Sequence, residues 1–358
     1  MGQGGLHLGS DPIITYGGFH PDYAEEIKYF KECKVYAVQI ESNLACPQGC
    51  LYCYASSRNA PMKELSREDI FSILDSAAAM EVRAIDWLGG DPLVRSDWYE
   101  LMKYATDKGF KNNIWTSGMP LEDIELAKKA VEVSEGGFIS VHLDSLDEVI
   151  YGKLHTGNPK RKIKAILKGI NNVQSLGKKP ENMINCITFT KLVAKDAKNT
   201  IKYFFEKLGM RTCLTQMCTV GLAEDHHAWV ANIQEIKDIC EFRDKINYPN
   251  SSLSMCTMDT NKFYCGGMIC VTIDGDVTPC SVIRKGYYNI HESSLKEIVE
   301  KYRDELLLTH LREIRNLPGK CGTCEHNAVC WGCRATAYYE YDDMLAEDPR
   351  CYINSKGK

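Results

Sequence analysis

Between residues 35 and 223 two hydrophobic patterns alternate along the chain. Six short β-rich runs read VYAVQIES (35–42), RAIDWLGG (83–90), NNIWTSG (112–118), GGFISVHLDS (136–145), MINCITFT (183–190) and MRTCLTQMC (210–218). Segments of helical periodicity separate them. The first starts at Ser66, an N-cap residue type, with Glu68 and Asp69 in its first turn and Ile70, Leu74 and Ala77 on one face. Ser96 opens the next, DWYELMKYATDK, and Gly109 stands just past its end. LEDIELAKKAVEV, residues 159–177 and residues 197–209 complete the series. About six strand–helix units at this spacing predict an α/β fold with a parallel sheet. Such sheets and barrels place reactive groups at the carboxyl ends of their strands, where the glycine- and cysteine-rich turns fall here.

After residue 223 the alternation stops. Residues 228–247 read as one helix, and from 265 onward the chain is short-patterned, irregular and cysteine-dense. The expected division is an N-terminal extension (1–34), an α/β barrel region (35–223), a helical linker (224–264) and a small C-terminal domain (265–358). Asp22 to Cys33 suit a helix covering the barrel end. There is no internal repeat and no low-complexity tract.

Composition narrows the function. The chain has 358 residues, 44% of them apolar, and a net charge of −5, so no basic field for nucleic acid is expected. No run approaches the length of a membrane span, and the opening MGQGGLHLGSDP has no apolar signal core and no Ser or Thr at position 6 for myristoylation. Seventeen cysteines, clustered and odd in number, point to a reduced cytoplasm and to metal or cluster ligation. Cys33, Cys186, Cys213, Cys218, Cys240 and Cys256 are expected to be plain packing residues.

The stretch ACPQGCLYCYA follows the first strand and spaces Cys46, Cys50 and Cys53 as C-x3-C-x2-C. Three thiols at a strand end suit three corners of a cubane cluster with one iron left open, and equally a zinc site with a distant fourth ligand. With Tyr52 before the third cysteine, the stretch resembles the radical S-adenosylmethionine (SAM) enzymes. Gly89-Gly90-Asp91-Pro92 after the second strand resembles that family's GGEP turn, with Asp for the usual Glu. Thr116-Ser117-Gly118 stands where members often read T-N-G. His142 and Asp144 end the fourth strand, and Asn185 and Gly221 also fall at family-typical places. The resemblance implies a partial (β/α)6 TIM-like barrel. It implies a [4Fe–4S] cluster on Cys46, Cys50 and Cys53 that chelates SAM and cleaves it reductively. The resulting 5′-deoxyadenosyl radical takes hydrogen from a substrate. Tyr52, Gly89, Gly90, Asp91, Pro92, Ser117, His142 and Asn185 are the implied cofactor contacts, and a flavodoxin or ferredoxin the implied reductant.

A second constellation lies in the C-terminal region. Cys265, Gly275 and Cys280 follow as C-x9-G-x4-C, then come Cys321, Cys324, Cys330, Cys333 and finally Cys351. Asp274-Gly275-Asp276 reads as a hairpin turn. CxxC pairs suit zinc or iron–sulfur alike. The order resembles the SPASM extension, an irregular cysteine-rich domain holding two auxiliary [4Fe–4S] clusters. The resemblance assigns Cys265, Cys280 and Cys333 to the nearer cluster, with Cys270 as a possible fourth, and Cys321, Cys324, Cys330 and Cys351 to the outer one.

The expected function is hydrogen abstraction from a peptide or protein side chain. The Cys330-x2-Cys333 spacing resembles that of members acting on the quinone-cofactor precursor peptide or on tetrapyrrole side chains, so oxidation of tetrapyrrole propionates is the alternative. An iron–sulfur electron carrier is the non-enzyme alternative, against which the Gly89–Pro92 turn argues. The basic run Lys160, Arg161, Lys162 and Lys164 is expected on a solvated face, His226-His227 on the surface, and Met217 and Met268 in packing.

Overall fold

A computed structural model describes residues 23–58, 63–247 and 261–353. Its centre is one sheet of six parallel strands: β1 Ala37–Asn43, β2 Ala84–Gly89, β3 Lys111–Trp115, β4 Ile139–His142, β5 Met183–Phe189 and β6 Arg211–Gln216. Helices α1 (Tyr23–Lys31), α2 (Arg67–Ala79), α3 (Trp98–Asp107), α4 (Ile124–Val133), α5 (Glu148–Leu154), α6 (Pro159–Ser175), α7 (Ala197–Leu208) and α8 (Ile233–Asn247) accompany it. The strands lie in sequence order and the sheet does not close on itself, which is a partial barrel.

Three helix starts differ from expectation, each for a local reason. Helix α4 begins at Ile124 and not at Leu121, because Asp123 caps it by accepting from the N–H groups of Glu125 and Leu126. The carboxylate of Asp97, beside the expected start at Ser96, pairs with Arg95 at 2.9 Å, and α3 begins at Trp98 without a side-chain cap. Residues 221–229 form 3-10 turns, and α8 begins only at Ile233. There Asn232 and Glu235 cap each other through their backbone N–H groups, both at 2.9 Å.

The sheet does not end with the barrel. Strand β7 (Met268–Val271) pairs parallel with β1, then turns back antiparallel into β8 (Asp276–Thr278) and β9 (Tyr288–Asn289). The nine-strand order is β6-β5-β4-β3-β2-β1-β7-β8-β9, so β1 is interior. The turn at Gly275 has φ +87°, where glycine avoids the Cβ penalty. Cys256 and Asp22 lie outside the described residues.

All seven residues of β1 are buried. Val38 and Ile40 enter the large apolar core with Ile70, Leu74 and Trp87. The alternate residues Gln39, Glu41 and Asn43 are polar and face inward. Each inward side chain is tied: Gln39 accepts from the Ser281 N–H at 3.2 Å, Glu41 from Ile273 N–H at 3.0 Å and from Arg284 at 2.5 Å, and Asn43 donates to Asp91 O at 3.0 Å, while its own Oδ1 has no partner among the described residues. Asp86 on β2 accepts from Asn113 at 2.7 Å and from the Tyr264 hydroxyl. Four of these links tie the barrel interior to residues 264–284. Buried polar groups persist because they are satisfied.

Candidate active site

A cavity of about 320 Å³ lies at the carboxyl ends of the strands and continues under the C-terminal cysteines. Cys46, Cys50 and Cys53 line it, with Tyr52, Gly89, Gly90, Ser117 and His142. Asp91, Pro92 and Asn185 stand behind the wall.

The cysteine loop is held almost wholly through its backbone. Cys46 N–H donates to Arg58 O at 2.8 Å, Leu51 N–H to Leu154 O at 2.9 Å and Thr156 N–H to Gly49 O at 2.9 Å. Lys162 donates to Gln48 O at 2.6 Å. This lysine is 8% exposed, so it leaves the solvated face expected for its basic run. Two glycine turns clamp the loop. A Cβ on Gly90 would meet Ala45 O at 2.1 Å, and one on Gly221 would meet Tyr54 O at 2.3 Å. Gly90 N–H donates to Asn43 O at 2.6 Å and Asp91 N–H to Ala45 O at 2.7 Å. The glycines of the GGDP turn thus permit close approach to the cysteine loop itself.

Asp91 braces the next turn. Its buried carboxylate accepts from Leu93 N–H at 3.1 Å, Ser117 N–H at 2.9 Å, Thr116 hydroxyl at 2.8 Å and Ser117 hydroxyl at 2.5 Å. Burial raises its pKa and these donors oppose the rise. Asn185 does similar work on the far side. Its amide donates to Leu143 O and accepts from Leu143 N–H, both at 3.0 Å, so it shapes the end of β4 and reaches no ligand space.

Behind the loop lies a buried polar knot. The Tyr52 hydroxyl donates to Asp144 and sits 2.9 Å from His142 Nε2. Asp144 also lies 3.2 Å from His142 and 3.1 Å from His155. Burial disfavours the charged His142 ring, but the Asp144 carboxylate holds its pKa well above the ordinary value. Burial opposes the Asp144 charge too, yet His142 and His155 hold that carboxyl below the usual range. His155 stacks on Tyr151 with centroids 4.0 Å apart. No local sequence signal marks it beyond its place after α5.

The three thiols fit a cluster with three protein ligands. Burial, and for Cys50 the neighbouring Cys46 and Cys53, push the Cys46 and Cys50 thiols up, so without metal these two favour the neutral form. Thiolates there call for a cationic partner, which iron supplies. The N–H groups of Gln48 and Gly49 point at the Cys46 sulfur. Cys50, His142 and His155 also bring donor atoms within 4.8 Å of one another, but Asp144 engages both rings.

The C-terminal thiols gather into two sets. Cys321 and Cys324 each lie within electrostatic range of Cys330 and Cys351. Backbone N–H groups of His326 and Gly332 donate to the Cys324 and Cys330 sulfurs at 3.4 and 3.1 Å. Cys265, Cys280 and Cys333 form the other set on the cavity wall. Cys218, expected in packing, joins them there, and Cys186 faces the cavity beside His142. Met217 and Met268 also line the cavity. Cys270 is fully buried in β7 and does not line it.

The Radical SAM superfamily matches residues 40–204. The AdoMet-dependent heme synthase of Methanosarcina barkeri is 25% identical over 343 residues, covering 87% of this chain and 94% of that protein. The Fe-coproporphyrin III synthase of the same organism is 24% identical, covering 96% of this chain and 94% of that protein. Among solved structures, Streptococcus suis SuiB bound to precursor peptide SuiA superposes with TM-score 0.65 at 17% identity, covering 92% of this chain and 79% of that one. The last likeness is one of fold.

Proposed function

Since this chain is a radical SAM enzyme with a SPASM-type C-terminal region, its cofactors being iron–sulfur and SAM, we propose that it oxidises a carboxylate-bearing side chain of a tetrapyrrole. The reading is supported by similarity to two tetrapyrrole-forming enzymes over nearly the full length of each. One residue supplies matching chemistry. Arg334 lines the cavity at 5% exposure, and its Nε and Nη2 have no hydrogen-bond partner among the described residues. A buried guanidinium with free N–H groups is a receptor for a carboxylate.

The roles follow from position. Cys46, Cys50 and Cys53 hold the first cluster. The peptide edges of Gly89 and Gly90, with Ser117, face the amino-acid end of SAM. Tyr52 and His142 close the opposite side, and their tie to Asp144 fixes both. Cluster and SAM, when bound, supply reductive cleavage of the sulfonium and a carbon radical that abstracts hydrogen. The aromatic and aliphatic cavity wall excludes water from that chemistry. The two C-terminal thiol sets would hold auxiliary clusters, which would supply an acceptor for the electron left on the substrate after hydrogen abstraction. A flavodoxin- or ferredoxin-type protein would deliver the electron that cleaves SAM.

Peptide modification rests on fold likeness alone and is the reading that a failed test restores. Protein reconstituted anaerobically is mixed with iron coproporphyrin, then reduced with dithionite in the presence of SAM. A Soret shift and faster 5′-deoxyadenosine formation are expected, both weakened in Arg334→Gln. No shift and no stimulation would refute the tetrapyrrole substrate.

A further inference from the structure

We propose that Cys218, and not Cys270, is the fourth thiolate of the nearer auxiliary cluster, with Cys265, Cys280 and Cys333. The assignment rests on the reading above that these thiols hold a cluster. The family resemblance offers Cys270, five residues after Cys265, as a possible fourth ligand. Folding places the two candidates differently. Cys218 stands two residues beyond β6, is 8% exposed and lines the cavity with the other three. Its thiol is in hydrogen-bonding contact with that of Cys333 and within electrostatic range of Cys280. Cys280 and Cys333 pack in the same small cluster of side chains as Cys218. Cys265 in turn lies within range of Cys280 and Cys333.

Cys270 also lies within electrostatic range of Cys280, but its direct contacts are different. It sits in the middle of β7, between Gln39 of β1 and Thr278 of β8. Its thiol bonds the Thr278 side chain and lies against the carboxylate of Glu41, which Arg284 neutralises. A ligand there would bring an anionic cluster beside a buried carboxylate whose cation is already engaged. The charged group acting most strongly on Cys218, apart from the neighbouring thiols, is the cation of Arg350.

Two consequences follow. The nearer cluster carries four thiolates and leaves no iron open, so substrate is held by side chains such as Arg334 and not by that metal. The ligands also come from opposite ends of the sheet, since Cys218 follows β6 and Cys280 follows β8.

The test uses the full chain with Cys46→Ala, Cys50→Ala and Cys53→Ala, which isolates the auxiliary sites. Loaded anaerobically, this parent should hold about eight irons in two clusters. Iron near zero would overturn both this assignment and the reading it rests on. Adding Cys218→Ser should retain iron while shifting the electron paramagnetic resonance signal of one reduced cluster. Adding Cys218→Ala should let isotope-labelled cyanide couple to that same cluster. Cys270→Ala should reproduce the parent spectrum. Cyanide coupling in the parent, or a spectrum that moves with Cys270→Ala and not with Cys218→Ser, would overturn the ligand assignment while the two-cluster reading stands.

Discussion

Single residues carry more of this site than their types disclose. Glu26 on α1 is fully buried, and burial, with Asp86 nearby, pushes its carboxyl up to about 8 against the Asn261 hydrogen bond. The unfolded chain loses this proton above its ordinary value of 4.5, while the folded protein keeps it until about 8. The unfolded state therefore gains as pH rises through that window, and stability falls. Glu26→Gln should abolish the slope. Anaerobic urea unfolding at both ends of the window reads it, wild type losing stability towards the alkaline end and the variant holding steady. Asp91 shows where single-residue reading stops. The GGDP motif was legible, but the use of its carboxylate to hold Thr116 and Ser117 depends on a turn from another strand. Lys162 likewise looked like one more basic surface residue until α6 brought it under the cysteine loop. Its neighbours Lys160, Arg161 and Lys164 are exposed as the charge run predicts.

At the level of elements, the six parallel strands and most of their helices were written in the hydrophobic pattern. The polar lining was not. Gln39, Glu41, Asp86 and Asn113 alternate with apolar residues, as a half-solvated strand would, yet all four are buried. Alternation marks two different faces, and only the fold says that the polar one encloses a cavity. The expected hairpin between Cys265 and Cys280 forms, but pattern alone does not reveal its parallel docking on β1. Turns carry the precision of the site. Gly90→Ala would drive its Cβ into Ala45 O, which backbone cannot avoid cheaply. Iron counting should find about four atoms lost, one cluster's worth. The auxiliary signals should persist, and SAM should no longer perturb the spectrum. A variant that keeps full iron and a normal SAM response would show that the loop yields to the methyl group.

For the whole molecule, the long-range links weigh most. Glu41 pairs with Arg284, Gln39 with Ser281 and Asp86 with Tyr264, each joining the barrel interior to residues far along the chain. Removing the partner of a buried charge costs about 3–5 kcal/mol, and less here because Arg284 is partly exposed. A chain ended after residue 223 loses all three links and strand β7 together. It should collect as aggregate, or bind a hydrophobic dye with a broad unfolding transition, while the full chain unfolds sharply. A well-behaved fragment would show that the parallel barrel folds on its own. The interior position of β1 also has a consequence in time. This strand leaves the ribosome early, and its neighbour β7 is translated only after the rest of the barrel. At ordinary synthesis rates the interval is on the order of ten seconds or more. Through that delay the nascent chain presents a strand with one apolar face and one row of unpaired amides, an invitation to neighbouring polysomal chains and to chaperones alike.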